Sequence, residues 1–300
     1  MTKLTDDELI QKLQRRFDEN KRSLQELKKL MTELKMVNKK LEESEALKSH
    51  FISNITNEII NPFTSILGLS KSILSVKKEN WKKAISMIAL IHSEAFNLDF
   101  QLKNIFAAAK IEAGEICPEI LNVEVKTLIE SVIDSFKIEA KKKQLSIDFI
   151  FDIDSELEDI FYFKTDPEKL KLMLANLLSN AIKFSYEKNR IEVKVWKKDN
   201  FLIIYVKDFG KGISEKNQKI IFDRFKRLDS GINSIHRGHG LGLSINKAIL
   251  DLLNGKIEIK SQKEKGTTFT TLIPEAKSEM AGFASDGNEF LFEEDDDEIF

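Results

Sequence analysis

Residues 1–61 contain neither glycine nor proline. A stretch that long without a helix breaker reads as continuous helix, and a helix of that length must bury its apolar stripe against a partner. The stripe is a heptad. With Ile10 at position a, the a and d positions are Ile10, Leu13, Phe17, Asn20, Leu24, Leu27, Met31, Leu34, Asn38 and Leu41. Eight of these ten are apolar and the other two are asparagine, the residue that sets register in coiled coils. A coiled coil over residues 1–44 is therefore expected. The alternative, a lone amphipathic helix on a globular domain, fits this length poorly.

The register slips at Glu45 and Lys48 and resumes through Ile52, Ile55, Ile59, Pro62, Ile66 and Leu69. Asn57 then falls at the outward f position, with Asn61 one turn later. After a polar turn near Val76 to Asn80, a second helix carries Ile88, Ile91, Ala95, Leu98, Leu102, Ile105 and Ala109 at spacings of three and four. Two such helices bury little alone, whereas two copies make a four-helix bundle, so a homodimer is expected through residues 45–115.

Beyond Gly114 the pattern changes. A helix over about Val125 to Lys142 precedes the strand QLSIDFIF. Asp166-Pro167-Glu168 reads as an N-cap with proline at the first helical position, opening the helix that holds LKLMLANLLSNAIKF. Two strands, RIEVKVW and FLIIYVKD, follow. A glycine-bearing loop leads to a helix from about Leu241 and the hairpin KIEIKSQ and TTFTTLIP. The fold class is α+β: a coiled coil and two-helix hairpin, then an α/β sandwich over residues 116–275. From Ala276 onward one lysine faces nine acidic residues, the composition of a solvated tail (276–300) that cannot bury itself.

Composition excludes several classes. The net charge of −2 gives no general attraction to nucleic acid or anionic membrane. No apolar run approaches the roughly 18 residues of a membrane span, and the charged N-terminus lacks a signal core. A cytoplasmic chain is expected. Cys117 is the only cysteine, so no intrachain disulfide can form, and a buried thiol is its expected state.

Three stretches in the second half carry chemistry. Asn176 and Asn180 share one helical face, with Lys183 just beyond. Their amide oxygens suit Mg²⁺ and the lysine suits phosphate. Asp208-Phe-Gly210-Lys-Gly212 ends an apolar strand, where a carboxylate can accept from an exocyclic amine and glycines allow close approach of backbone to a ligand. Gly238-His-Gly240-Leu-Gly242 opens a helix, where free N–H groups favour anions. Each stretch alone also reads as a solvated helix face or an ordinary turn.

Together, in this order, they resemble the asparagine box and two glycine boxes of the sensor histidine kinases. IFDRFKRLD (221–229) resembles the phenylalanine box, GTTFTTLIP the end of the catalytic domain, and FISNITNEIINPFTSILG the histidine box of the dimerisation domain. The resemblance covers roughly residues 45–274. It implies ATP and Mg²⁺ as cofactors, with Mg²⁺ at Asn176 and Asn180, phosphate at Lys183 and adenine at Asp208. Gly210, Gly212, Gly238, Gly240 and Gly242 would shape the pocket and its lid. Arg224 and Arg227 are weaker candidates for the γ-phosphate, equally readable as solvated lid surface. Gyrase-type ATPases, which share the fold, place a glutamate general base where this chain has Asn176, so no residue here is evident for activating water.

The family pattern of histidine then glutamate falls on Asn57-Glu58. An amide nitrogen, delocalised into its carbonyl, is no nucleophile, so Asn57 cannot accept phosphate as an imidazole does. Ile60 also replaces a family arginine. His50, His92, His236 and His239 read as ordinary surface histidines. Glu58 and Asn61 keep the family spacing that positions water for dephosphorylating a receiver domain. Asn61 reads equally as part of an Asn-Pro helix bend. Several outcomes stay open: a phosphatase of a response-regulator receiver, a kinase acting in trans on another histidine kinase, a silent pseudokinase, or an engineered His-to-Asn form of an active enzyme.

Overall fold

The computed structural model describes residues 6–77, 80–153, 160–223 and 240–276. At 6–14, 18, 40, 43, 44 and 46–58 only the helical backbone is described. Arg224, Arg227, Gly238 and the acidic tail lie outside the described residues, as do His236 and His239. The chain divides into two units, residues 1–58 and 59–300.

The first unit is helical backbone, the N-terminal part of α1 (Asp6–Leu74). The heptad residues Phe17, Leu24, Leu27, Met31, Leu34 and Leu41 are all exposed on the single chain. Leu30, Met36 and Val37, off the heptad positions, are exposed as well.

In the second unit α1 continues past Pro62, whose ring removes one backbone donor without ending the helix. A short turn, closed by Ser75 N–H to Ser72 O and Val76 N–H to Ile73 O, leads to α2 (Trp81–Ala113). Gly114 ends α2 with φ 71°, and the Gly114 and Glu115 amides return to Ile111 O and Lys110 O. That left-handed cap is where glycine carries no steric cost. Ile88, Ile85 and Trp81 on α2 are exposed. Phe96 and Phe100 instead meet Phe136 of the following helix, α3 (Val125–Lys142), edge-on, at centroid distances of 5.2 and 5.9 Å.

The mixed region follows: β1 (Leu121–Glu124), α3 (Val125–Lys142), β2 (Ser146–Asp152), β3 (Tyr162–Thr165), α4 (Pro167–Phe184), β4 (Arg190–Lys198), β5 (Phe201–Asp208), the short α5 (Glu215–Gln218), α6 (Gly242–Leu252), β6 (Lys256–Gln262) and β7 (Gly266–Pro274). The main sheet has the order β2-β4-β5-β7-β6, with β2 and β4 parallel and the other pairs antiparallel. Its side chains alternate, except that Ile203 is buried on the other face. Ile191, Val193, Val195, Leu202, Ile204, Val206, Phe269 and Ile273 point inward and are buried. Glu192, Lys194, Trp196, Tyr205 and Lys207 occupy the other face and are partly exposed. Helices α3, α4 and α6 pack on the inward face. Leu170, Met173, Leu174, Leu177 and Leu178 of α4 are wholly buried, each contributing about 1.5–3 kcal/mol through removal from water. The α+β reading holds, as a two-layer sandwich with one solvated sheet face.

Two expectations need correction. The pair β1–β3 is a separate two-stranded antiparallel sheet that the sequence did not announce. Four residues per strand are too few for alternation to register. Cys117 is exposed, not buried. It lies in the connection between α2 and β1, where Ile120 takes the core position and is buried. No helix among the described residues is long and apolar enough to cross a membrane.

Candidate functional site

Helix α4 is the axis of the site. Asp166 caps its N-terminus, accepting from Lys169 N–H at 2.9 Å and from Glu119 N–H at 2.7 Å. Pro167 takes the first helical position, where no donor is needed. The cap thus ties α4 to the segment arriving from α2.

Asn176 is buried at 3% exposure. Its Nδ2 donates to Asn246 Oδ1 on α6 at 3.0 Å, and Asn246 Nδ2 donates to Met173 O at 3.0 Å. Asn246 is wholly buried and was not anticipated from sequence. The only signal was a polar residue on an otherwise apolar helix stripe. Gly242, first residue of α6, lies against this pair: a Cβ there would sit 3.0 Å from Asn176 Oδ1. Asn176 thus spends its amide hydrogens joining α4 to α6, and its oxygen lies under Gly242. Asn180, one turn on, is half-buried. Lys183 is also half-buried, with its ammonium 5.2 Å from the Phe184 ring centroid.

Asp208 ends β5 and is 5% exposed. Its Oδ1 accepts from Gly210 N–H at 3.0 Å and Thr267 N–H at 3.2 Å. Burial pushes its carboxyl up to about 6, against the opposing pull of those two amides. Thr267 is a second residue not anticipated, although the GTTF motif contained it. Its hydroxyl meets Ser261 Oγ at 2.9 Å.

The glycines around Asp208 lie hard against neighbouring backbone. A Cβ on Gly210 would lie 1.9 Å from Phe184 O, and one on Gly212 (φ 61°) 2.0 Å from Gln262 O. Gly210 also bridges to Ser185. These positions let backbone meet backbone, locking the loop after β5 to the end of α4 and to the β6–β7 hairpin. Gly240 has φ 69°, at the edge of the segment leading into α6.

Of the dimerisation-domain candidates, Asn61 is exposed on α1. Asn57 and Glu58 belong to the same helix, but only their backbone is described. Among the described residues no cluster of three or more histidine, cysteine or acidic side chains could hold a metal.

A helix bearing paired asparagines, a buried aspartate at a strand end and a glycine-opened helix stand together on one sheet face. Residues 165–277 match the family described as histidine kinase-, DNA gyrase B- and HSP90-like ATPase. The chain is 31% identical over 234 residues to the circadian input-output histidine kinase CikA of Synechocystis, covering 76% of this chain and 31% of that protein. It is 27% identical over 252 residues to the signal transduction histidine-protein kinase BarA of Escherichia coli K12, covering 82% of this chain and 27% of BarA. The solved structure of full-length ShkA in complex with AMPPNP shares the fold, with TM-score 0.52 and 21% identity over 78% of this chain and 46% of that one. The chain belongs with the sensor histidine kinases. It spans about a third of the length of the curated relatives just named.

Proposed function

We propose that this chain is the core of a two-component signalling protein that binds MgATP on its catalytic domain. In this reading residues 1–44 form a coiled coil, 45–115 a dimerisation domain, 116–275 the ATP-binding domain and 276–300 an acidic tail. The observation that carries it is Asp208. It is a nearly buried carboxylate whose Oδ1 is held by two backbone amides, which suits an acceptor for the exocyclic amine of adenine. Asn180 offers a half-buried amide oxygen for Mg²⁺, with Asn176 beneath it, and Lys183 offers charge for phosphate. Bound MgATP would supply a transferable phosphoryl group. Within this chain no glutamate stands at position 176 to activate water, so hydrolysis is disfavoured.

Asn57 replaces the acceptor histidine, so the chain does not phosphorylate itself. Two copies pair through α1 and α2, where Phe63, Leu67, Ile85 and Ile88 are exposed on one chain while Ile66, Leu69, Ile91 and Leu98 are half-buried. A second reading, phosphatase toward a response-regulator receiver, is favoured by the exposure of Asn61. There its amide is open to solvent and can orient a water at an aspartyl phosphate.

Calorimetric titration with MgATP tests the pocket. Unaltered protein should bind, and Asn180→Asp or Asp208→Asn should each weaken binding strongly, because each changes one specific contact in a buried site. Heat-silent titration of unaltered protein, with no displacement of a fluorescent ATP analogue, would end this reading. Following the phosphoryl group on a receiver domain with and without the protein separates the phosphatase from a silent interaction module.

A further inference from the structure

The last turn of a helix leaves four carbonyls without helical partners. In α4 all four are occupied. Ala181 O accepts from Ser185 N–H at 3.0 Å and Phe184 O from Lys211 N–H at 3.2 Å. The two between them, Ile182 O and Lys183 O, accept from one ammonium, Lys143 Nζ, at 2.9 and 2.7 Å. Lys143 follows α3 as its C-cap residue, and its own carbonyl accepts from Lys188 N–H at 3.1 Å. The side chain therefore runs from the end of α3 to the end of α4.

A cation at a helix C-terminus also meets the negative end of the helix dipole. Lys143 is partly buried, which lowers its affinity for protons, as does the nearby Lys211, while Glu187 opposes both. The sequence hid this residue in the run Lys141-Lys142-Lys143, which reads as solvated charge. The three separate in the structure. Lys141 is exposed, and Lys142 bonds to Ser93 and Glu139.

We propose that Lys143 is a positioning residue of the nucleotide site: by holding the Ile182 and Lys183 carbonyls it fixes the final turn of α4, and with it the placement of Lys183 toward the phosphates. The inference rests on reading this pocket as an ATP site. The base end touches the end of α4 through Gly210 but has holds of its own, since the Asp208 carboxylate accepts from Gly210 and from Thr267 on β7. Phe184 and Ser185 keep their own bonds to Lys211 and Gly210. Loss of Lys143 should thus loosen the phosphate end and spare the base end.

The experiment compares the full chain with Lys143→Met, Lys143→Arg and Lys141→Met. MgATP affinity is read by calorimetry and adenosine affinity by competition. Lys143→Met should bind MgATP roughly tenfold more weakly, the scale of one charge-assisted hydrogen bond. Its adenosine affinity should be unchanged. Lys143→Arg, which keeps charge and donors, should recover most of the loss, and Lys141→Met should match the unaltered protein. Equal loss for both ligands would reduce Lys143 to a structural role and overturn the proposal, as would no loss for MgATP. Should Lys143→Met fail to fold, Lys143→Gln, which retains a donor, carries the same comparison of ligands. If the unaltered protein binds neither ligand, the ATP reading falls and this proposal with it. If it binds both and the variants match it, only the role of Lys143 is lost.

Discussion

Asn176 and Asn246, seventy residues apart in sequence, are joined side chain to side chain at 3.0 Å in the buried seam between α4 and α6. The bond fixes which way the Asn176 carboxamide faces, since its Nδ2 must point at Asn246 and its Oδ1 then lies under Gly242. Replacing Asn246 by Leu would strand Asn176 Nδ2 in the core, while Met173 O keeps its helical partner within α4. Each unmet buried group costs about 1–3 kcal/mol. Chemical denaturation of the full chain should show a fall of that order, and unchanged stability would remove Asn246 from the framework of the site.

Asp208 makes the apo protein sensitive to pH. Its folded carboxyl titrates near 6, above the ordinary value of 3.8. Between those values the folded state binds more protons than the unfolded one, so stability falls as pH rises through the window of about 4 to 6. The cost of ionising this group in the fold is then fully present above 6, on the order of 3 kcal/mol. Asp208→Asn should therefore leave the apo protein at least as stable at pH 7.5 while impairing nucleotide binding. Adenosine binding, which needs the ionised acceptor, should weaken as pH drops below about 6. A flat affinity profile from pH 5 to 8 would contradict this assignment.

Gly210 and Gly68 should respond in opposite ways to alanine. A Cβ at Gly210 would overlap Phe184 O, whereas at Gly68, inside α1, nothing lies within 4 Å. Gly210→Ala must separate the loop after β5 from the end of α4 and should cost at least about 2 kcal/mol. Gly68→Ala should stabilise by about 0.5–1 kcal/mol through helix propensity. Thermal melting of the two variants decides the matter, and equal shifts would be incompatible with the packing described.

Incubation with labelled ATP should leave no acid-labile phosphate on this chain, because Asn57 has no lone pair available for attack. Asn57→His should restore labelling at least in part, since Glu58 beside it can hold the imidazole in its reactive tautomer. Ile60, in place of a basic residue, limits the recovery. Acid and base treatment of both labelled proteins distinguishes phosphohistidine from phosphoester. Strong acid-labile label on the Asn57 protein would point to another histidine.

Pairing of two chains is tested at Ile88. Its side chain is 55% exposed on the single chain, so Ile88→Glu should not disturb the fold of one chain. If Ile88 lies in the dimer seam, the buried charge should dissociate it. Light scattering at micromolar concentration should then report a dimer for the unaltered protein and a monomer for the variant. A monomer in both cases would remove the bundle reading.

Local rules carried the sequence reading a long way. The absence of glycine and proline over residues 1–61 gave the long helix. Asp166-Pro167 marked the start of α4, and the period of two in RIEVKVW and FLIIYVKD marked β4 and β5. These are nearest-neighbour effects of backbone sterics, capping and alternation, which act within a few residues and so are written in order along the chain. The nucleotide-site candidates Asn176, Asp208, Gly210 and Gly242 were legible only because their order resembles a family pattern. What tertiary structure alone decided is how their polar groups are used. Asn176 bonds Asn246, and Asp208 draws an amide from Thr267, 59 residues away. Gly210 makes room for the Phe184 carbonyl, and Lys143 caps a helix from outside it. Cys117 stays in solvent because Ile120, three residues on, takes the core position. Each of these depends on which surfaces desolvate one another. Burial turns an ordinary aspartate into one that titrates near 6 and a charge-run lysine into a helix cap, and burial is a property of the packed chain that no local stretch contains.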